Sequence, residues 1–208
     1  MQRFIRNTLP LLLFSIIFIS CNNDVDTSQL KDGDIIFQES VSPQSTAVQL
    51  ATHSRYSHMG IIFKHNDIFL VLEAVQPVQF TKLEDWLKRG RRRHFVVKRL
   101  ENADDVINQE VVRNMNLVGE EMVGKDYDKY FEWTDERIYC SELVWKIYKE
   151  TLDIDIGPLK KMKDFDLSDE KVKKIMKKRY GDEIPLEETV VSPGDIFESD
   201  KLITVIED

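Results

Sequence analysis

Cysteine is almost missing from this chain, with two in 208 residues, Cys21 and Cys140. Once Cys21 is set aside with the N-terminus, no disulfide scaffold is possible, and stability has to come from packing. Histidine is scarce as well: His53, His58, His65 and His94 are the only four. No two of them stand at paired-ligand spacing on one element and no second thiol is at hand, so no metal site is expected, nor any other cofactor. Positive charge is also short. Without residues 1–20, which carry Arg3, Arg6 and no acid, 27 basic side chains face 37 acidic ones, a balance of −10. That acidity excludes nucleic acid as a partner. Residues 30–208 contain no linker, low-complexity stretch or fixed-period repeat.

The N-terminus has a secretory layout: Arg3 and Arg6, an apolar run over residues 11–19, then Ser20 and Cys21. The run falls short of the roughly 20 apolar residues of a membrane span, so a signal peptide over residues 1–20 is expected. A small residue before cysteine resembles a lipobox, in which Cys21 is acylated and becomes the mature N-terminus. Phe18 stands where leucine is more usual, and an ordinary signal with an incidental cysteine is the alternative. The expectation is an exported protein of the bacterial cell envelope, lipid-anchored at its periplasmic or outer-membrane face. Residues 21–29 would be a polar tether and residues 30–208 a single domain, long enough to bury a core.

Short apolar runs predict strands over residues 35–37, 59–63, 69–74 and 95–98. Thr81 and Glu84 read as a capping box opening a short helix. Apolar residues at helical spacing predict helices over 103–123 and 141–150. A third helix should run from Ser168 as N-cap to Tyr180, with Gly181 as its stop. Asp32-Gly33-Asp34-Ile35 and Pro193-Gly194-Asp195-Ile196 both read as a turn feeding a short strand. Strands early and helices late indicate an α+β domain.

Cys140 falls at the predicted start of a helix, where free N–H groups and the dipole favour a thiolate. A lone thiol there is a candidate nucleophile, although a buried apolar cysteine is common. Among the histidines, His65 lies in a polar turn. His94 closes the run Lys88-Arg89-Gly90-Arg91-Arg92-Arg93, which reads as a solvated loop or a grip for acidic substrate groups. His58 has an acid within reach. If the hairpin turn centres between His65 and Asn66, Lys64 pairs with Asp67, Phe63 with Ile68 and His58 with Glu73. A carboxylate there fixes the tautomer and stabilises the imidazolium. By themselves His58 and Glu73 could equally cap a sheet edge. Glu73 sits in an apolar run, however, and needs a partner. Together with Cys140, the pair reads as a catalytic constellation.

These segments in this order resemble the permuted papain-like amidases, the YiiX/YaeF-like branch of the NlpC-type cysteine hydrolases. Gly33-Asp34-Ile35-Ile36-Phe37, Ser57-His58-Met59-Gly60-Ile61, Leu72-Glu73-Ala74 and Tyr139-Cys140-Ser141-Glu142-Leu143-Val144 carry the resemblance. Gly124-Lys125-Asp126-Tyr127-Asp128, Phe131 and Val191-Ser192-Pro193-Gly194-Asp195 extend it over the mature domain. It implies a circularly permuted papain-like fold, with an antiparallel sheet or small barrel against helices. It also implies Cys140 as nucleophile, His58 as base, Glu73 as orienter, and Tyr139 beside Cys140 shaping an oxyanion or substrate site. The expected activity is cleavage of an amide in a cell-wall peptide, an amino-acid conjugate or an N-acyl compound through a thioester. The rivals are a lecithin:retinol acyltransferase-like lipid acyl transferase or phospholipase, and a non-catalytic ligand-binding lipoprotein.

Overall fold

The computed structural model describes residues 25–208. The signal segment 1–20, the lipidation expected at Cys21 and the tether up to residue 24 lie outside the described residues. The chain runs β1 (Ile35–Ser40), α1 (Pro43–Thr52), β2 (His58–His65), β3 (Ile68–Glu73), β4 (Gln79–Lys82), α2 (Leu83–Leu87) and β5 (Gly90–Leu100). It continues with α3 (Ala103–Val106), α4 (Gln109–Met122), β6 (Asp126–Tyr127), β7 (Arg137–Ile138) and α5 (Cys140–Leu152). The last part holds β8 (Lys160–Lys161), α6 (Glu170–Tyr180), β9 (Thr189–Val190), α7 (Pro193–Phe197) and β10 (Leu202–Glu207).

One antiparallel sheet in the order β10-β5-β1-β2-β3-β4 organises the domain. Its central strands are apolar on both sides because both faces are covered. Met59, Ile61 and Phe63 of β2 point toward α4 and α5, joining Leu143, Val144 and Ile147 in the larger core. Ile62, Val71, Phe95 and Val97 point the other way, toward Leu83, Trp86 and Leu87 around α2. Burying side chains of this size stabilises by roughly 1.5–3 kcal/mol each. The expected α+β fold is therefore present, with an open sheet rather than a barrel among the described residues.

Several expectations need correction. The region 103–123 is two helices, because Asn108 caps α4 by accepting from Glu110 and Val111 N–H at 2.9 and 3.0 Å. The N-cap of α6 is Asp169, which accepts from Lys171 N–H at 2.8 Å; Ser168 hydrogen-bonds back to Asp166 instead. Pro193 does not open a strand. Ser192 caps Pro193–Phe197 as a helical turn, with proline where its missing N–H costs nothing. The helix α1 begins the same way, from Ser42 and Pro43.

The hairpin register differs from the expected one by two residues. His65 pairs with Ile68 and Phe63 with Leu70, because Asn66 and Asp67 form the turn, both with positive φ, 46° and 64°. Such a two-residue turn matches the twist of the strands it joins. Continuing this register sets Glu73 opposite Gly60, not His58. A shift of two preserves the alternation of faces, so His58 and Glu73 remain on one side as diagonal neighbours. A Cβ on Gly60 would come within 2.6 Å of the Leu72 carbonyl and 2.5 Å of Val71 Cγ1. Glycine is what lets β3 lie this close to β2.

Candidate active site

The site lies where β2 begins. Ser57 is buried there, its Oγ accepting from Ser40 N–H at 3.1 Å while its own N–H donates to Gln38 O at 3.2 Å. These bonds hold His58 at the first position of the strand. The imidazole lies beside the Trp86 ring, 6.0 Å between centroids and 23° between planes. Its Nε2 is 2.6 Å from Glu73 Oε2, and the Cys140 thiol is close enough to act on the same ring. Burial alone would push His58 toward the neutral form. Cys140 and Glu73, with the charge each carries, outweigh it and raise its pKa from 6.5 to about 9.

Glu73 is fully buried. Burial opposes its charge, but the hydrogen bond and charge of His58, then Thr81 and Arg89, more than compensate and hold its carboxyl below the usual range. Thr81 Oγ1 donates to Oε1 at 2.5 Å, and the Arg89 guanidinium pairs with the same oxygen. Two expectations change here. Thr81 does not cap a helix: it belongs to β4, Lys82 holds the cap position, and the hydroxyl serves Glu73. The basic side chains are exposed, as expected of a solvated run, but part of the run is strand rather than loop. Residues 90–93 open β5, Arg89 pairs with Glu73 and Arg91 with Glu39 at 2.9 Å.

Cys140 is the first residue of α5 and is buried. Its backbone N–H is one of the donors that a helix leaves without an internal acceptor. Tyr139, the N-cap, donates its N–H to Glu142 Oε2 at 3.3 Å. Its hydroxyl accepts from Val191 N–H at 3.2 Å and ties the helix start to residues 190–193. Ser141 Oγ donates to the Val191 carbonyl at 2.8 Å. Glu142 is fully buried against Lys146 Nζ at 2.8 Å. Burial raises its pKa to about 7 against the pull of Lys146 and the Tyr139 N–H.

A pocket opens beside the thiol. Cys140, Tyr139 and Val191 form its floor, and Ala47, Val48 and Ala51 of α1 face Val172, Ile175 and Met176 of α6 across it. The lining is nearly all apolar. Tyr127 reaches it from β6, its hydroxyl accepting from Gln44 Nε2 at 2.8 Å. Burial and then the charge of Cys140 keep that phenol protonated, raising its pKa.

Comparison with known proteins places this geometry. Residues 29–206 match the model of the family described as permuted papain-like amidase enzymes, YaeF/YiiX, C92. The chain belongs to that family. The permuted amidase is 46% identical over 177 residues, 85% of this chain and 86% of the other, to the uncharacterized protein YiiX of Escherichia coli K12. It resembles the crystal structure of YiiX from Escherichia coli O157:H7, described as a metalloprotein. That likeness has a TM-score of 0.83 at 45% identity, covering 86% of this chain and 98% of that one.

The structure thus brings Cys140, His58 and Glu73 together, with His58 bonded to Glu73 and close to the thiol, and sets Tyr139 beside Cys140. Arg89, Thr81, Gln44 and Tyr127 were missed as site residues. A buried acid in an apolar strand announces that it needs donors, which is a signal for Arg89 only after the fold is known. Gln44 lies in a helix, α1, that the sequence pattern did not reveal. Asp34 of the Gly-Asp motif serves the fold: Arg99 clamps it with bonds of 2.6 and 2.8 Å.

Proposed function

We propose that this permuted amidase is an envelope-anchored cysteine hydrolase that cleaves the amide of an N-acyl compound, its acyl chain held in the apolar pocket beside Cys140. The observation that carries the reading is an apolar pocket lined by Cys140, whose neighbour His58 is bonded to the buried Glu73. A cell-wall peptide, polar along its length, would leave that lining against water. An alkyl chain would displace the water, at about 0.8 kcal/mol per buried CH₂.

The proton of Cys140 rests on His58, whose raised pKa and Glu73 contact suit it to hold charge. The thiolate attacks the amide carbonyl. The Cys140 backbone N–H meets the developing oxyanion, a contribution of roughly 3–4 kcal/mol, and the protonated Tyr127 hydroxyl is the second donor at hand. His58 gives its proton to the leaving nitrogen, and the same ring then draws a proton from the water that clears the thioester. Glu73 remains ionised and keeps the ring oriented. Among the described residues no three histidine, cysteine, aspartate or glutamate side chains form a group able to hold a metal ion.

The anchor is Cys21, reached through a signal over residues 1–20. Among the described residues no helix is long and apolar enough to cross a membrane. Palmitate labelling of the wild type that is lost in Cys21→Ala tests the anchor. Incubation with a long-chain N-acyl amide should give an acyl adduct on Cys140 by mass spectrometry. An adduct formed from phospholipid and not from the amide would instead establish the lipid acyl transferase. Absence of any adduct, with full cellular function in Cys140→Ala, would establish the binding lipoprotein.

A further inference from the structure

The pocket is apolar along most of its length and charged at one end. The helices that line it are antiparallel. Asp166, just before α6, donates its N–H to the Ala51 carbonyl at the far end of α1, at 2.9 Å. Arg179, in the last turn of α6, donates to Gln44 Oε1 in the first turn of α1, at 3.1 Å. Val172, Ile175, Met176 and Arg179 share one stripe of α6, so the stripe that supplies the apolar wall ends in a cation.

That guanidinium is half-buried, its carbon 4.9 Å from the centroid of the Phe131 ring. Arg55, Arg89, Arg91, Arg99 and Arg137 each hold a carboxylate, and Arg92, Arg93 and Arg113, which do not, are exposed to water. Among the described residues Arg179 holds none within salt-bridge distance; an amide oxygen and an aromatic face are its company. A cation taken partly out of water without a counter-charge is costly, and this one faces the space a substrate would fill. Its end of the pocket is also the thiol's end. Gln44 passes from Arg179 to the Tyr127 hydroxyl, and Tyr127 feels the charge of Cys140.

We propose that Arg179 is the anion anchor of the active-site pocket and selects N-acylated amino acids, whose free carboxylate lies beside the scissile amide. The assignment rests on the amidase reading above. A single planar guanidinium fits a carboxylate with two parallel hydrogen bonds, and the apolar stretch toward Ala51 and Val172 takes the acyl chain. In the reaction the Cys140 Sγ–C bond forms as the C–N bond breaks, and the leaving nitrogen takes the proton held on His58. Water then divides the thioester, releasing a long-chain carboxylic acid and restoring the thiol. The other product is the free amino acid.

The full chain, given N-dodecanoylglycine and N-dodecanoylglycinamide, tests this. The two share chain and amide and differ in charge. The readout is the ratio of their kcat/KM values, from released glycine and glycinamide by mass spectrometry. The carboxylate should be preferred by about tenfold or more, the scale of a hydrogen bond to a charged group. Arg179→Gln should bring the ratio near one, and Arg179→Lys should keep part of it, retaining charge without the planar fork. A wild-type ratio near one, or a ratio that survives Arg179→Gln, overturns the anchor and leaves the amidase standing. Turnover of neither compound overturns both.

Discussion

Two fully buried carboxylates flank Cys140, and the protein treats them differently. Glu73 has His58, Thr81 and Arg89 as donors, and its carboxyl is held below the usual range. Glu142 has Lys146 and the Tyr139 N–H, shares Lys146 with Asp135 at 2.8 Å, and is pushed up to about 7. Burial works against charge at both. The number and quality of donors decide which acid stays ionised, and the one beside the histidine is the one that does. Glu142 closes the start of α5, a structural task that tolerates a proton.

The sharpest way to break that comparison is to neutralise Glu73. Glu73→Gln should lower kcat/KM of the proposed amidase by about 10⁴-fold, the scale seen when the acid behind a catalytic histidine becomes an amide. Gln in place of Glu142 should leave most of the activity, and steady-state kinetics on one substrate compares the two.

Removing a donor is the next step down. Arg89→Met leaves Glu73 with fewer partners and should cut kcat/KM by about tenfold. His58 has to hold its proton as the thiolate attacks, so the wild type should lose activity as pH rises through about 9. Glu73 remains ionised without Arg89, and loss of that cation makes His58 more basic, so this limb should move to higher pH. An unmoved limb in the pH profile would mean that Arg89 only fills space.

Two smaller effects concern stability. Gly60→Ala forces β2 and β3 apart and should cost about 1–3 kcal/mol in urea denaturation, with activity falling as Glu73 loses its place. Glu142 is raised in the folded state, so the native protein binds its proton more tightly than the unfolded chain. Its contribution is therefore present at low pH and lost as pH climbs from the ordinary 4.5 to about 7. In Glu142→Gln that part of the slope, on the order of 1–3 kcal/mol, should vanish. His58 has the same sign at higher pH: its share is complete below 6.5 and is lost as pH rises through about 9.

The elements carrying Cys140, His58 and Glu73 were legible because each announces itself locally. A run of apolar residues marks β2 and β3, and helical spacing after Tyr139 marks α5. The register was misjudged by two because Asn66 and Asp67 both accept positive φ, and the strand pattern alone does not say where a turn centres. The face survived the error because alternation repeats every two residues. Thr81 looked like a helix cap, and its hydroxyl found a better acceptor in a buried carboxylate eight residues away in the chain. The basic run is solvated as its composition suggests, but nothing local shows that Arg89 also reaches a carboxylate sixteen residues earlier.

The chain by itself determined that a lone thiol starts a helix, that an imidazole and a carboxylate share a hairpin face, and that family membership follows from their order. Those properties rest on periodicity, capping and residue type, which are written in consecutive residues. Only the tertiary structure decided which donors keep Glu73 charged, that Glu142 is a second buried acid of the opposite character, and that α1 and α6 enclose an apolar pocket ending in Arg179. Each of these depends on groups far apart in sequence meeting away from water, where burial sets the cost of a charge and the neighbours decide whether it is borne.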